Sequence, residues 1–75
     1  MSKAEEEAID ALWHVVYNGN GFYSNEMQAQ AIRSLGAYVH HEAAVGHLHT
    51  VIHDTSNRYS DDLRMLAIHV LGKRK

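Results

Sequence analysis

Histidine is the residue type over-supplied in this chain. Seven of its 75 residues are histidines: His14, His40, His41, His47, His49, His53 and His69. Imidazole titrates nearest to neutral pH and is a common metal ligand. His49 and His53 lie four apart, which sets both rings on one helical face, and two imidazoles so placed can hold a metal ion. His41 and Glu42, where the same helix would begin, are the further candidate metal ligands, and His40 beside His41 adds another imidazole. His47 falls on a different face. The segment His49-Thr50-Val51-Ile52-His53 lacks the glutamate that serves as base in H-E-x-x-H zinc proteases, so that mechanism has no base at the expected place. The same histidines could instead make association depend on pH between roughly 5.5 and 8, around the ordinary imidazole range.

Other chemistries have less to stand on. There is no cysteine, and Ser24 and Ser60 are placed to cap helices while Ser34 falls in mid-helix. The carboxylates Glu5, Glu6, Glu7, Asp61 and Asp62 lie at helix starts, where solvation is cheap, rather than as a buried catalytic pair. Gly19-Asn20-Gly21 has neither the following lysine nor the preceding strand of a phosphate-binding loop. The expectation is a protein that is not an enzyme, with no catalytic residues and no cofactor.

A chain of this length makes one small domain, near the lower limit of what one apolar core supports. Without cysteine it has no disulfide staples, which favours a reducing, cytoplasmic setting. The start, M-S-K-A-E-E-E, has no apolar signal core, and no apolar run is long enough to span a membrane. The formal charge of −2 and pI near 6.3 are no footprint for nucleic acid, although Lys73-Arg74-Lys75 is locally basic. That tail reads as a solvated helix end complementing the dipole, and with Met1 in place the chain reads as complete. Proline is absent, and Ala, Leu, Ile and Glu fill the periodic segments, which suits helices.

The elements that position these residues come as two copies. Tyr23–Gly36 reads Y-S-N-E-M-Q-A-Q-A-I-R-S-L-G, and thirty-six residues on Tyr59–Gly72 reads Y-S-D-D-L-R-M-L-A-I-H-V-L-G. At the same offset Glu6 meets Glu42, Ala8 meets Ala44, Leu12 meets Leu48 and Val15 meets Val51, and Asn18 meets Asp54. Matches gather at apolar and turn positions, as expected of a repeated packing unit. Each unit predicts a helical hairpin. A first helix begins after Ser2, with a capping box to Glu5, and buries Ala8, Ile9, Leu12, Val15 and Val16. It stops near Asn18 before Gly19-Asn20-Gly21. Ser24 caps a second helix with the stripe Met27, Ala31, Leu35 and Tyr38, Ile32 flanking, and Gly36 as a left-handed cap. A third helix over about 41–53 buries Ala44, Val45, Leu48, Val51 and Ile52. Ser60 caps a fourth, with the stripe Leu63, Leu66, Ala67, Val70 and Leu71. Tyr23 and Tyr59, identical in both copies, take a structural role before the cap.

The signature L-R-x-x-A-I-x-x-L-G (Leu63 to Gly72), preceded by V-I-H-D (Val51 to Asp54), resembles a HEAT-like repeat of the phycobilisome-lyase type. M-Q-x-x-A-I-x-x-L-G (Met27 to Gly36) after V-V-Y-N (Val15 to Asn18) is the matching first unit, with Asn18 and Gln28 replacing the family's aspartate and arginine. The resemblance implies an all-α fold, two tandem hairpins stacked as a short right-handed α-solenoid that presents helix surfaces to a macromolecular partner. It also implies an interaction between Asp54 and Arg64. A subset of HEAT-like proteins, the deoxyhypusine hydroxylases, binds di-iron through His-Glu pairs; this chain has one such pair, His41-Glu42, at the start of a first helix rather than in the signature helix.

The domain expected spans 1–75, with repeat one over 1–36, repeat two over 37–72 and a basic tail over 73–75. Its expected role is a non-enzymatic interaction module for a protein partner, with Gln28, Arg33, Arg64 and His69 as polar contacts and Trp13 as an interface anchor. Trp13, Tyr17, Phe22 and Tyr38 could equally pack between helices. Two hairpins would leave apolar faces at both ends, so a homodimer is expected. Histidine-based metal binding is the alternative. Neither a membrane nor nucleic acid is expected as a partner.

Overall fold

In the computed structural model, which describes residues 3–73, the fold is all-α. Helices α1 (Lys3–Tyr17), α2 (Asn25–Leu35), α3 (Glu42–Ile52) and α4 (Asp61–Gly72) follow in order, with a 3₁₀ turn over Gly36–Tyr38 after α2. The expected Ser2 capping box and tail residues 74 and 75 lie outside the described residues. Among those described there is no strand, and no helix is long and apolar enough to cross a membrane.

Helix α1 pairs with α2 and α3 with α4, and the hairpins join chiefly through α2 against α4. Ile9, Val16, Ala31, Ile32, Leu35, Ala44, Leu48, Val51, Tyr59, Leu63 and Ala67 form the core, drawn from all four helices and from the tyrosine ahead of α4. Leu12, Val15, Ile52, Leu66, Val70 and Leu71 are half-buried around it, while Val45, expected in the core, is half-buried at a surface groove beside Gly46 and His49.

The repeat in the sequence is also a repeat in hydrogen bonding. Ser24 Oγ accepts from the Met27 amide at 3.2 Å, and Ser60 Oγ accepts from the Leu63 amide at 3.3 Å. Such N-caps contribute about 1 kcal/mol each. Asn18 Oδ1 accepts from the Tyr23 amide at 3.0 Å, and Asp54 Oδ2 accepts from the Tyr59 amide at 3.3 Å. Gln28 Nε2 donates to the Val16 carbonyl at 2.9 Å, while Arg64 Nε and Nη2 donate to the Ile52 carbonyl at 3.4 and 3.2 Å. Each of these carbonyls belongs to the last turn of a first helix, whose acceptors have no partner within the helix. The side chain of the second helix supplies the missing donor. Both hairpins are thus closed at the same three places.

Two expectations change here. Asp54 does not meet Arg64. It folds its own loop, accepting also from the Ser56 amide at 3.1 Å, Ser56 Oγ at 2.6 Å and the Arg58 amide at 3.0 Å. These bonds, that from the Ser56 hydroxyl foremost, hold the Asp54 carboxyl below its ordinary range. Gly36 is not a left-handed cap: its φ is −58°, and the positive φ values belong to Asn18, Asn57 and Gly21. The glycine has a packing reason instead. A Cβ there would sit 3.1 Å from Val70 Cβ, so its bare backbone lets α4 approach α2.

The stripe on α2 is also rotated from the one expected. Met27 is 49% exposed, Ile32 is fully enclosed, and Gln28 is buried beside Ala31 and Leu35. The cause is position. α2 has α1 on one side and α4 on the other, so it buries a wider arc than a helix with one neighbour. Tyr38 lies in the 3₁₀ turn rather than in α2, and packs half-buried against the core as expected.

Tyr59 is buried with its hydroxyl unpartnered, and desolvation pushes its pKa up. Tyr59→Phe removes an unmatched buried polar group and is expected to leave stability unchanged or raise it by about 1 kcal/mol. Urea denaturation of both proteins measures this, and a clear loss would reveal a partner for the hydroxyl.

Candidate functional site: a groove between the second helices

The Ser60–Asn25 hydrogen bond near the helix starts and the approach of Val70 to Gly36 near their ends place α2 and α4 side by side, running the same way. Asn25 and Glu26 at the start of α2 border one cavity with Asp62, and Arg33 and Gly36 at its end border another with His69, Val70 and Lys73. The cavities, of about 680 and 400 Å³, share Arg33 and Leu66 and so form one open groove. Its floor is Ala29, Leu66 and Val70, with Met65 on one edge.

The charges along the groove are sorted. Glu26 and Asp62 stand at the end where both helices begin, and Arg33, His69 and Lys73 at the end where both finish. The helix dipoles favour this order within each helix, and in-register stacking turns it into a field gradient along the groove. Ser60 Oγ donates to Asn25 Oδ1 at 2.9 Å, tying the two starts together, and Arg33 Nη1 donates to Gln30 Oε1 at 3.5 Å.

Of the interaction residues expected from the sequence, Arg33 and His69 line this groove and are exposed. Gln28 does not belong to a surface: it is buried, and its amide is committed to the Val16 carbonyl. Arg64 is held against the Ile52 carbonyl, with Nη1 3.9 Å from Asp61 Oδ1, and does not line the groove. Trp13 is half-buried at the α1–α3 junction and stacks on His47, with centroids 4.3 Å apart and planes 7° apart. It is a packing residue between hairpins. Burial there lowers the His47 pKa, with Asp10 pulling the other way. Tyr17 has Arg58 over its ring at 4.1 Å, and Phe22 is exposed on the first loop.

Of the metal candidates, the structure brings together His49 and His53, whose exposed rings have centroids 4.3 Å apart. His41 is buried as the N-cap of α3, its Nδ1 accepting from the Ala43 amide at 3.2 Å. That lone pair is therefore engaged, and Nε2 is enclosed. Glu42 is exposed in the first turn of α3, two helical turns before His49. Among the described residues no three His, Cys, Asp or Glu side chains converge as a metal shell.

Sequence reasoning missed Glu26, Asp62 and Lys73 as a set. Each was legible as a dipole-complementing residue on its own helix, and the register of the repeat is the signal that aligns them. Scans against family models, curated proteins and solved structures find no match for this chain.

Proposed function

We propose that this chain is a small protein-interaction module of HEAT-like architecture that seats an amphipathic helix of a protein partner in the α2–α4 groove. The observation that carries this reading is the charge order along an apolar floor: acidic at Glu26 and Asp62, basic at Arg33, His69 and Lys73. A helix laid antiparallel to α2 and α4 brings its N-terminal turn to the basic end and its C-terminal turn to the acidic end. Helices commonly carry acids first and bases last, so an ordinary amphipathic helix is complementary in that direction. Binding of this kind needs no catalytic group.

Two designed amphipathic peptides test the reading, one with an acidic first turn and a basic last turn, the other with these charges exchanged. The first is expected to shift amide resonances of α2 and α4 and to bind at least about tenfold more tightly than the second, a difference of roughly 1.4 kcal/mol. Arg33→Glu with Lys73→Glu makes both ends of the groove acidic and is expected to abolish the preference. Equal binding of both peptides, or shifts confined to other helices, would refute it.

A further inference from the structure

Asparagine followed by glycine occurs twice in the first loop, as Asn18-Gly19 and Asn20-Gly21, and the fold treats the two steps differently. This dipeptide carries its own chemistry. The backbone nitrogen of the glycine can attack the asparagine side-chain carbonyl and close a five-membered ring, and glycine hinders the closure least because it has no Cβ. The reaction needs a side chain free to swing over its own backbone and a glycine free to approach it.

Asn18 meets neither condition. Its Oδ1 accepts from the Tyr23 amide at 3.0 Å and its Nδ2 donates to the Tyr23 carbonyl at 3.0 Å, so the half-buried side chain is held at both ends across the base of the loop. Gly19 sits against the Tyr17 ring: a Cβ there would lie 3.3 Å from two ring carbons. Asn20, by contrast, is exposed, and among the described residues its side chain has no hydrogen-bond partner. Gly21 stands in open space, with nothing within 4 Å of an added Cβ and a φ of 74°. The restraint at this step is the turn bond from the Gly21 amide to the Asn18 carbonyl, at 3.1 Å. A single backbone bond in an exposed loop opens readily. Asn25 and Asn57 are followed by Glu26 and Arg58, whose side chains hinder the ring closure.

We infer that Asn20 is a self-modification site, where the folded chain loses ammonia and gains a carboxylate while the fold protects Asn18. The Gly21 nitrogen bonds to Asn20 Cγ, the bond from Cγ to the side-chain nitrogen breaks, and that nitrogen leaves as ammonia with the proton from Gly21. Water then opens the cyclic imide at either carbonyl. One opening gives aspartate on an ordinary backbone, and the other routes the backbone through the side chain as isoaspartate. Water enters, ammonia leaves, and nothing is oxidised or reduced. The product carries one more negative charge on a chain whose formal charge is −2. Protection falls where conversion would cost most, because an aspartate at position 18 could not donate to the Tyr23 carbonyl. The two Asn18–Tyr23 bonds also staple the loop on either side of Asn20, so the longer isoaspartate backbone is absorbed between residues 18 and 23. Asn20 does not line the α2–α4 groove, and its modification is separate from the binding proposed there.

Peptide mass spectrometry of the chain incubated in mildly alkaline buffer, beside a sample in guanidinium chloride, tests this. In the folded sample Asn20 is expected to convert at least about tenfold faster than Asn18, a barrier difference of about 1.4 kcal/mol that two side-chain hydrogen bonds can supply. In guanidinium chloride, where those bonds are gone, the two steps are expected to convert at similar rates. Isoaspartate is expected to exceed aspartate at position 20, which separates ring opening from direct hydrolysis of the amide. Asn20→Gln, whose longer side chain closes a larger ring far more slowly, is expected to leave both positions of the folded chain unconverted. Conversion of Asn18 as fast as Asn20 in the folded chain would overturn the inference. So would survival of both asparagines in the folded chain after the guanidinium sample has converted, or aspartate formed without isoaspartate.

Discussion

Ile32→Ala is expected to lower stability by about 2–5 kcal/mol, the range for emptying an enclosed aliphatic site, whereas Ile68→Ala is expected to change it by no more than about 0.5 kcal/mol in the monomer. The residues are the same type at the same repeat position, yet one is 0% and the other 54% exposed. Helix propensity and sequence neighbourhood are closely matched, so the difference isolates what covers each side chain. A domain of this size has only about 4–11 kcal/mol in total, so the Ile32 variant should be marginal or unfolded at 37 °C. Chemical denaturation at low protein concentration measures both. Equal losses at low concentration would mean that the two hairpins are not stacked as described.

The glycine pair gives a second contrast. Gly36→Val is expected to cost about 1–3 kcal/mol, because its Cβ alone would press within 3.1 Å of Val70 Cβ and the added methyls must displace α4. Gly72→Val meets open space and sits at the last residue of α4, so a change of about 0.5 kcal/mol or less is expected. Because Gly36 and Val70 line the groove, Gly36→Val should also weaken binding of the acid-first peptide, which separates it from a purely local loss of stability. Denaturant midpoints and the peptide titration provide the two readouts.

Much of the architecture was legible in the sequence because a repeat states its own register. The offset paired Ser24 with Ser60 and Ala31 with Ala67, and these proved to be caps and core. What the sequence did not show was which face of each helix meets a neighbour. Ile32 and Ile68 read alike, and only the stacking order distinguishes an inner helix from an outer one. Gln28 looked like a surface residue because glutamine is polar; a carbonyl in the last turn of α1 draws it inward. Arg64 is held in the same way at Ile52, and Asp54, expected to face that arginine, is occupied by a loop long enough to fold back on it. The groove was half legible. Arg33 and His69 were identified as surface groups on the second helices, while Glu26, Asp62 and Lys73 become one site only when those helices lie in register. The histidines were the most conspicuous residues in the sequence, and they are dispersed: His41 caps a helix, His47 stacks on Trp13, His40 approaches Glu5 at 3.2 Å, and His49 and His53 make an exposed pair.

Both the groove and the contrast between Ile32 and Ile68 depend on α4 lying against α2 as the same unit shifted by one repeat. The most direct measurement is the nuclear Overhauser contact between the Gly36 α-protons and the Val70 methyl groups. Strong cross-peaks are expected, since an atom added at Gly36 would lie 3.5 Å from Val70 Cγ1 and 3.8 Å from Cγ2. Their absence in a folded sample, with Gly36 showing contacts only within its own hairpin, would contradict the stacking and remove the groove with it.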